Sequence, residues 1–298
     1  MKGPERIAAD RIAADWIAID WGTTNLRLWA MHGARMQARR ESRQGGLCRD
    51  DFASVLAQAT QGWGELPVVA CGMVGSREGW VEAPYAAVPT QAVPRLVRVP
   101  GQRVWIACGI RQQEPPDVMR GEETQIAGLL AARPDFDGVA CMPGTHTKWA
   151  RISAGELCHF QSFMTGELFA LLSQKSVLRH TLGTASGNAA FDEAVAEALS
   201  QPHRAYGRLF QLRAAALVGD QDPDNAASRL SGLLIGCELA GAKAYWLGQE
   251  IAIVGAEALS ALYARALAAQ GVTVHQADGE ASTLAGLHRA WQSIRETP

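Results

Sequence analysis

One local pattern occurs twice, far apart in the chain, and it restricts the fold more than any other feature. Trp16 to Asp20 is a short apolar run closed by an acid; Gly22-Thr23-Thr24 follows, and Leu26 to Met31 is a second strand-like run just beyond. Gly138 to Met142, the turn Pro143-Gly144-Thr145-His146-Thr147 and Lys148 to Ile152 repeat the arrangement. Apolar runs of this length, bounded by Gly and Thr, read as β-strands joined by tight turns. The chain is therefore expected to be an α/β protein with two similarly ordered halves, each opening on a hairpin.

The remaining segments extend both halves. Met36 to Glu41 and Glu156 to Phe163 supply a third strand to each. In the first half, Asp50 to Trp63 has helical spacing with Phe52, Val55, Leu56 and Ala59 on one face, and Gly121 to Ala132 has Ile126, Leu129 and Leu130 at i, i+3 and i+4. Pro67 to Cys71 and Arg103 to Cys108 are buried strands, the former running into a glycine-rich, polar-tipped loop from Gly72 to Trp80. In the second half a helix begins at Gly166, and Glu250 to Val254, the stretch from Gly255 with Leu259, Leu262, Tyr263, Ala266 and Leu267, and Val272 to His275 give strand, helix and strand. The expected organisation is an N-terminal extension (1–15), a first domain (16–135) and a second domain (136–298) with a helical insertion around 181–248. The extension contains a tandem pentapeptide, Arg6 to Asp10 and Arg11 to Asp15, too short for a repeat architecture and read as expendable. On a helix from Ala227 to Trp246, Gly232, Gly236 and Ala240 recur every four residues, which favours close packing of a neighbouring helix over a ligand site.

Composition narrows the partners. In 298 residues, 28 Lys and Arg nearly balance 30 Asp and Glu, so no overall field draws the chain to nucleic acid or an anionic membrane. A small-molecule partner is the better expectation, and homo-oligomerisation stays open. Cys48, Cys71, Cys108, Cys141, Cys158 and Cys237 form no C-x-x-C pair, and several lie in apolar runs where cysteine acts as a small hydrophobe. With neither a signal-peptide core nor roughly 18 consecutive apolar residues, the cytoplasm is the expected compartment.

The two turns carry the chemistry. A hairpin turn rich in Gly and Thr presents backbone N–H groups and hydroxyls to one point, which suits phosphate oxygens. Gly22, Thr23 and Thr24 form the first such turn, and Gly144, Thr145, His146 and Thr147 the second, with Lys148 beside it. Asp20, just before the first turn, is placed to hold a hydrated Mg²⁺. Gly255, at a strand–Gly–helix corner, could accept adenine and ribose. Each segment alone also reads as an ordinary hairpin or corner; the pairing favours a nucleotide.

Together these residues resemble the actin, Hsp70 and hexokinase superfamily, whose duplicated ribonuclease-H-like domains close over ATP in a cleft between them. More narrowly, Trp16 to Arg27, Met119-Arg120-Gly121-Glu122-Glu123-Thr124-Gln125, Met142 to Trp149 and Phe163-Met164-Thr165-Gly166-Glu167-Leu168 resemble the 2-dehydro-3-deoxygalactonokinase family. The resemblance implies ATP- and Mg²⁺-dependent phosphorylation of the 6-hydroxyl of 2-dehydro-3-deoxy-D-galactonate. In the wider superfamily an aspartate often precedes the second turn. Here Cys141, Met142 and Pro143 stand there, so metal binding is expected to rest more heavily on Asp20.

Phosphoryl transfer to an alcohol usually needs a carboxylate to accept the hydroxyl proton. Glu122 and Glu123, opening a helix, are the candidates, with Glu123 preferred because its acid-then-Thr124 context resembles the hexokinase pattern; complementing the helix dipole is their simpler role. Arg77, with Ser76 in the glycine-rich loop, and Arg27 suit the acceptor's carboxylate and keto group. Asn25, Tyr85, Thr165 and Glu167 suit hydroxyls. His146 is expected to position rather than react. The rival readings are a kinase acting on another sugar or sugar acid, and a nucleotide-dependent switch module.

Overall fold

The computed structural model describes residues 12–22, 25–42 and 51–296. Thr23, Thr24, Cys48 and the first copy of the pentapeptide lie outside them. Contacts divide the described residues into two units, the first drawn from Met1–Ala87, Gln91–Arg133 and Ala281–Pro298, the second from Val88–Thr90 and Pro134–Glu280.

The first unit contains β1 (Trp16–Trp21), β2 (Leu26–His32), β3 (Arg35–Ser42), α1 (Phe52–Ala59), β4 (Val68–Gly72), β5 (Ala86–Ala87), and, after β6 (Thr90–Gln91), β7 (Leu96–Arg98), β8 (Val104–Ala107), β9 (Ile110–Gln112), β10 (Asp117–Met119) and α2 (Glu122–Ala132). Its main sheet runs β3-β2-β1-β4-β8-β7, and β10-β9-β5 form a small second sheet. β1 is central and both its faces are covered, which is why it reads as a continuous apolar run. Ile17, Ile19 and Trp21 point to the core beneath α1, with Phe52, while Trp16 and Ala18 point to the other face. The edge strand β3 instead carries Arg35, Arg39, Arg40 and Glu41, charges that blunt an open edge. Asp51 caps α1 by accepting from the Ser54 N–H at 2.9 Å.

Two features of this unit differ from expectation. The last helix, α9 (Gly279–Glu296), follows the second half in sequence, yet residues 281–298 group with the first unit. Its Leu287, Ala290 and Trp291 complete the core over Trp16, Trp29, Met31 and Val69, and the Trp291 and Trp16 rings stack 5.6 Å apart. The second pentapeptide copy, described from Ile12 on, packs against this unit. Ile12 and Ala14 pack on the core, and the Asp15 carboxylate accepts from the Gly33 N–H at 3.1 Å.

The second unit holds β11 (Gly138–Met142), β12 (Thr147–Ser153), β13 (Glu156–Phe163), α3 (Thr165–Lys175), α4 (Ala189–Ser200), α5 (Ala205–Val218), α6 (Pro223–Gly241), α7 (Lys243–Trp246), β14 (Ile251–Gly255), α8 (Glu257–Ala268) and β15 (Val274–Asp278). The sheet runs β15-β14-β11-β12-β13-β6. Strand order and sense repeat those of the first unit: β3-β2-β1 and β13-β12-β11 are antiparallel, then β4 and β8, or β14 and β15, add in parallel. The helix expected to end at Trp246 stops at Gly241, and α7 restarts after Ala242. Among the described residues no helix is long and apolar enough to cross a membrane.

The four-residue glycine spacing of α6 is a helix crossing. A Cβ on Gly232 would overlap the Phe191 carbonyl of α4 and stand 2.8 Å from the Ala194 Cβ; on Gly236 it would stand 2.7 Å from the Val195 carbonyl oxygen. Gly232→Ala and Gly236→Ala each gain up to about 1 kcal/mol of helix propensity but force backbone apart, at a cost of about 1–3 kcal/mol. The obstruction is backbone and cannot rotate away, so the cost is expected to win. Urea unfolding of each variant should show a lower midpoint; an unchanged or higher midpoint would refute the crossing.

Candidate active site

In the first unit the chemistry gathers where β1 and β4 end and α2 begins. Asp20 pairs in register with Arg27 on the neighbouring antiparallel strand, and the Arg27 Nη2 lies 3.0 Å from the Asp20 Oδ2. The arginine expected to meet the acceptor's carboxylate is thus already engaged with the expected metal ligand. The turn beyond Asp20 is closed by the Gly22 N–H donating to the Asn25 carbonyl at 2.9 Å, and Asn25 is exposed.

The two glutamates separate clearly. Gly121 enters α2 at φ 110°, a left-handed geometry that favours glycine. That turn lets the Glu123 side chain fold back on the helix start: its Oε2 accepts from the Gly121 N–H at 2.6 Å, and its Oε1 accepts from the Thr124 hydroxyl at 3.1 Å. Glu123 is 1% exposed. Burial and then the charge of Glu122 push its carboxyl from the ordinary 4.5 to about 7, against the opposing pull of its hydrogen bonds. Glu122 is only partly buried and accepts from the Arg120 backbone N–H at 3.1 Å. On β4, the buried Cys71 thiol is pushed well up, first by burial and then by the charges of Asp20 and Glu123, so both carboxylates face the end of this strand.

The loop after β4 is less open than its composition suggests. Val74 and Gly75 are buried in a short 3₁₀ turn, Ser76 is partly buried, and Trp80 packs against Phe52 and Trp21 in the core. Arg77 points away from this machinery at 88% side-chain exposure, 3.9 Å from Glu82. Tyr85, expected to meet a hydroxyl, instead lies under the Arg120 guanidinium, 4.4 Å from ring centroid to carbon. A cavity of about 570 Å³ beside α1, lined by Leu56, Thr60, Trp80 and Arg103, includes none of the expected site residues.

In the second unit, the Gly144 turn packs against the start of α3. A Cβ on Gly166 would overlap the Gly144 carbonyl, and the Glu167 N–H donates to the Thr145 carbonyl at 2.9 Å. The His146 Nε2 and Glu167 Oε2 are 2.6 Å apart, so these two expected residues engage each other. Thr147, expected among the phosphate ligands, faces inward. It is fully buried and its hydroxyl pairs with the Tyr263 hydroxyl at 3.0 Å, because β12 begins there. Lys148, beside the turn, is buried. Gly255 ends β14, and its Cα would lie 3.1 Å from a Cβ placed on Gly279, so two chain segments pass closely there.

Behind this turn lies Glu238 of α6, 2% exposed. It accepts from the Trp149 Nε1–H at 2.8 Å and the Tyr263 hydroxyl at 2.7 Å, and hydrogen-bonds the Thr147 and Thr165 side chains. Burial raises its carboxyl, and these bonds oppose the rise. Glu238 was missed in the sequence, and Gly166 and Arg120 were quoted within motifs but given no role. The available signal for Glu238 was an acid inside the apolar run Leu230 to Leu239, which reads equally as a solvated face.

Among the described residues no group of three or more His, Cys, Asp and Glu is arranged to hold a metal ion. Mg²⁺ does not require one, since a single carboxylate with phosphate oxygens and water is a common set; Asp20, 19% exposed, fits that role.

A strand order that recurs in both units and a buried carboxylate at a helix start fit the class to which the chain's relatives belong: kinases with an actin/hexokinase-like fold. The profile of the 2-keto-3-deoxy-galactonokinase family matches residues 20–290, and the chain belongs to that family. It is 36% identical over 291 residues to a Rhizobium meliloti (strain 1021) protein described as a 2-dehydro-3-deoxygalactonokinase, covering 92% of this chain and 95% of that one. It is also 36% identical over 276 residues to the 2-dehydro-3-deoxygalactonokinase of Escherichia coli (strain K12), covering 89% and 94%. A crystal structure from Sinorhizobium meliloti assigned to the same activity superposes with a TM-score of 0.86 at 35% identity, over 95% of this chain and 98% of that one. Component A of the (R)-2-hydroxyglutaryl-CoA dehydratase of Acidaminococcus fermentans, with a TM-score of 0.55 at 11% identity, shares the fold alone.

Proposed function

We propose that the protein transfers the γ-phosphoryl group of ATP, with Mg²⁺, to the 6-hydroxyl of 2-dehydro-3-deoxy-D-galactonate in galactonate breakdown. The carrying observation is Glu123: a buried carboxyl held near pH 7 at the start of α2, in a member of a kinase family. Such a group is poised to take the acceptor's hydroxyl proton at neutral pH, which is where general bases work best. Asp20 would hold the metal, which when bound neutralises phosphate charge. Arg27 keeps the Asp20 carboxylate oriented. Gly22, Thr23 and Thr24, and Gly144, Thr145 and His146, would offer phosphate-binding groups from their turns, Lys148 would add positive charge, and Gly255 would give the nucleoside room. Thr165 and Glu167, at the start of α3, and Asn25 would meet sugar hydroxyls. The recurring strand order supports reading the two units as duplicated ribonuclease-H-like domains.

The test is ADP release, coupled to a spectroscopic readout, with ATP, Mg²⁺ and a panel of 2-keto-3-deoxy sugar acids. Acceptor-dependent turnover greatest on the galacto isomer is expected. Turnover on none of the panel would refute the proposal, and preference for the gluco isomer would move the substrate assignment.

A further inference from the structure

Arg120 links β10 to α2, three residues before Glu123, and its guanidinium is only partly used. The Nη2 donates to the Ala83 carbonyl at 2.8 Å, and the Tyr85 ring covers one face. The Nε and Nη1 are buried, and among the described residues neither has a hydrogen-bond acceptor. The buried hydroxyl of Ser76 also has no partner among the described residues. Arg120 packs beside the chain next to Ser76: a Cβ on Gly75 would stand 2.9 Å from the Arg120 Nη1.

Buried donors without acceptors are rare in folded proteins and call for an explanation. Leaving one unpaired is costly, and more so when it is charged. A carboxylate ligand would remove the cost, since a planar guanidinium matches its geometry. The two arginines that the sequence offers for this purpose are otherwise disposed, Arg77 into solvent and Arg27 onto Asp20.

We propose that Arg120, assisted by the Ser76 hydroxyl, recognises the carboxylate of the acceptor and so selects sugar acids over neutral sugars. The inference rests on the reading of the acceptor as a sugar acid.

Binding and turnover, measured separately, test this. Calorimetry on the full chain would give Kd for 2-dehydro-3-deoxygalactonate and for its neutral C1 carboxamide, in the parent and in Arg120→Met, Arg120→Lys and Arg77→Met. The parent should bind the acid at least about tenfold more tightly than the amide, the value of one charge-assisted hydrogen bond. Arg120→Met should bring that ratio near one with amide binding within about threefold of the parent, while Arg77→Met leaves it unchanged. Should Arg120→Met lose its cooperative melting transition, Arg120→Lys decides, with a reduced ratio expected. The inference is overturned if the Arg120 variants weaken acid and amide equally, if Arg77→Met abolishes the preference, or if the parent binds neither. Acid-selective binding through Arg120 without turnover would sink the proposed reaction and leave this inference standing.

Discussion

Glu123→Gln should lower kcat by about 10²–10⁴, the usual worth of a positioned general base, and at the same time make the protein more stable at pH 8. The two effects share one cause. The folded state holds the Glu123 proton up to about pH 7, whereas the unfolded chain releases it near 4.5. Between those values the folded state binds more protons, so stability is complete below about 4.5 and declines as pH rises through about 7. The gap corresponds to about 3 kcal/mol, without discount for solvent because the side chain is fully buried. Glutamine keeps an oxygen for the Gly121 N–H and a donor for the Thr124 hydroxyl but carries no charge to bury. Its urea midpoint should therefore be higher than the parent's at pH 8 and nearly level with it at pH 4.5. Parent turnover should fall on the acid side of about pH 7. Glu122→Gln removes a charge that raises the Glu123 carboxyl, so it should keep turnover within about tenfold and move the acid limb to lower pH. If Glu122→Gln is the inactive variant and Glu123→Gln turns over normally, the base is Glu122.

The sequence made the fold legible wherever local pattern and tertiary environment agree. β11 occupies Gly138–Met142, the range read from its apolar run, because a strand buried on both faces cannot tolerate interruption; β13 occupies Glu156–Phe163, the range read for the third strand of its half. The last helix could not be placed this way. Nothing in the local periodicity of Gly279–Glu296 says which core it completes; Trp291 stacking on Trp16 is a contact between the two ends of the chain. The candidate site divides along the same line. Asp20, Glu122 and Glu123 could be nominated from the sequence because a turn and a helix start are local. The use of Arg27 was decided by register, which sets it opposite Asp20, and the inward turn of Thr147 by Tyr263, more than a hundred residues away. Arg120 was quoted within a motif but given no role, since what marks it is that, among the described residues, its buried Nε and Nη1 have no acceptor.

The second large effect is expected at Glu238, which joins four elements behind the Gly144 turn: Thr147 and Trp149 of β12, Thr165 of α3, Tyr263 of α8 and its own helix α6. Glu238→Ala removes a buried side chain and strands the Trp149 indole N–H, for a loss of about 3–6 kcal/mol when the cavity and the unpaired donor are taken together. Glu238→Gln keeps the volume and one acceptor, and the Tyr263 hydroxyl can turn to accept from the amide, so about 1–3 kcal/mol is expected. Urea unfolding near neutral pH should rank the three proteins in that order. Because burial raises the Glu238 carboxyl, its contribution also declines as pH rises above 4.5, and the Gln variant should lose that part of the slope. The same bonds fix where β12 and α3 begin on either side of the proposed phosphate turn. Loosening them should raise the KM for ATP more than it lowers kcat, whereas an effect on kcat alone, at unchanged KM, would separate Glu238 from the phosphate turn.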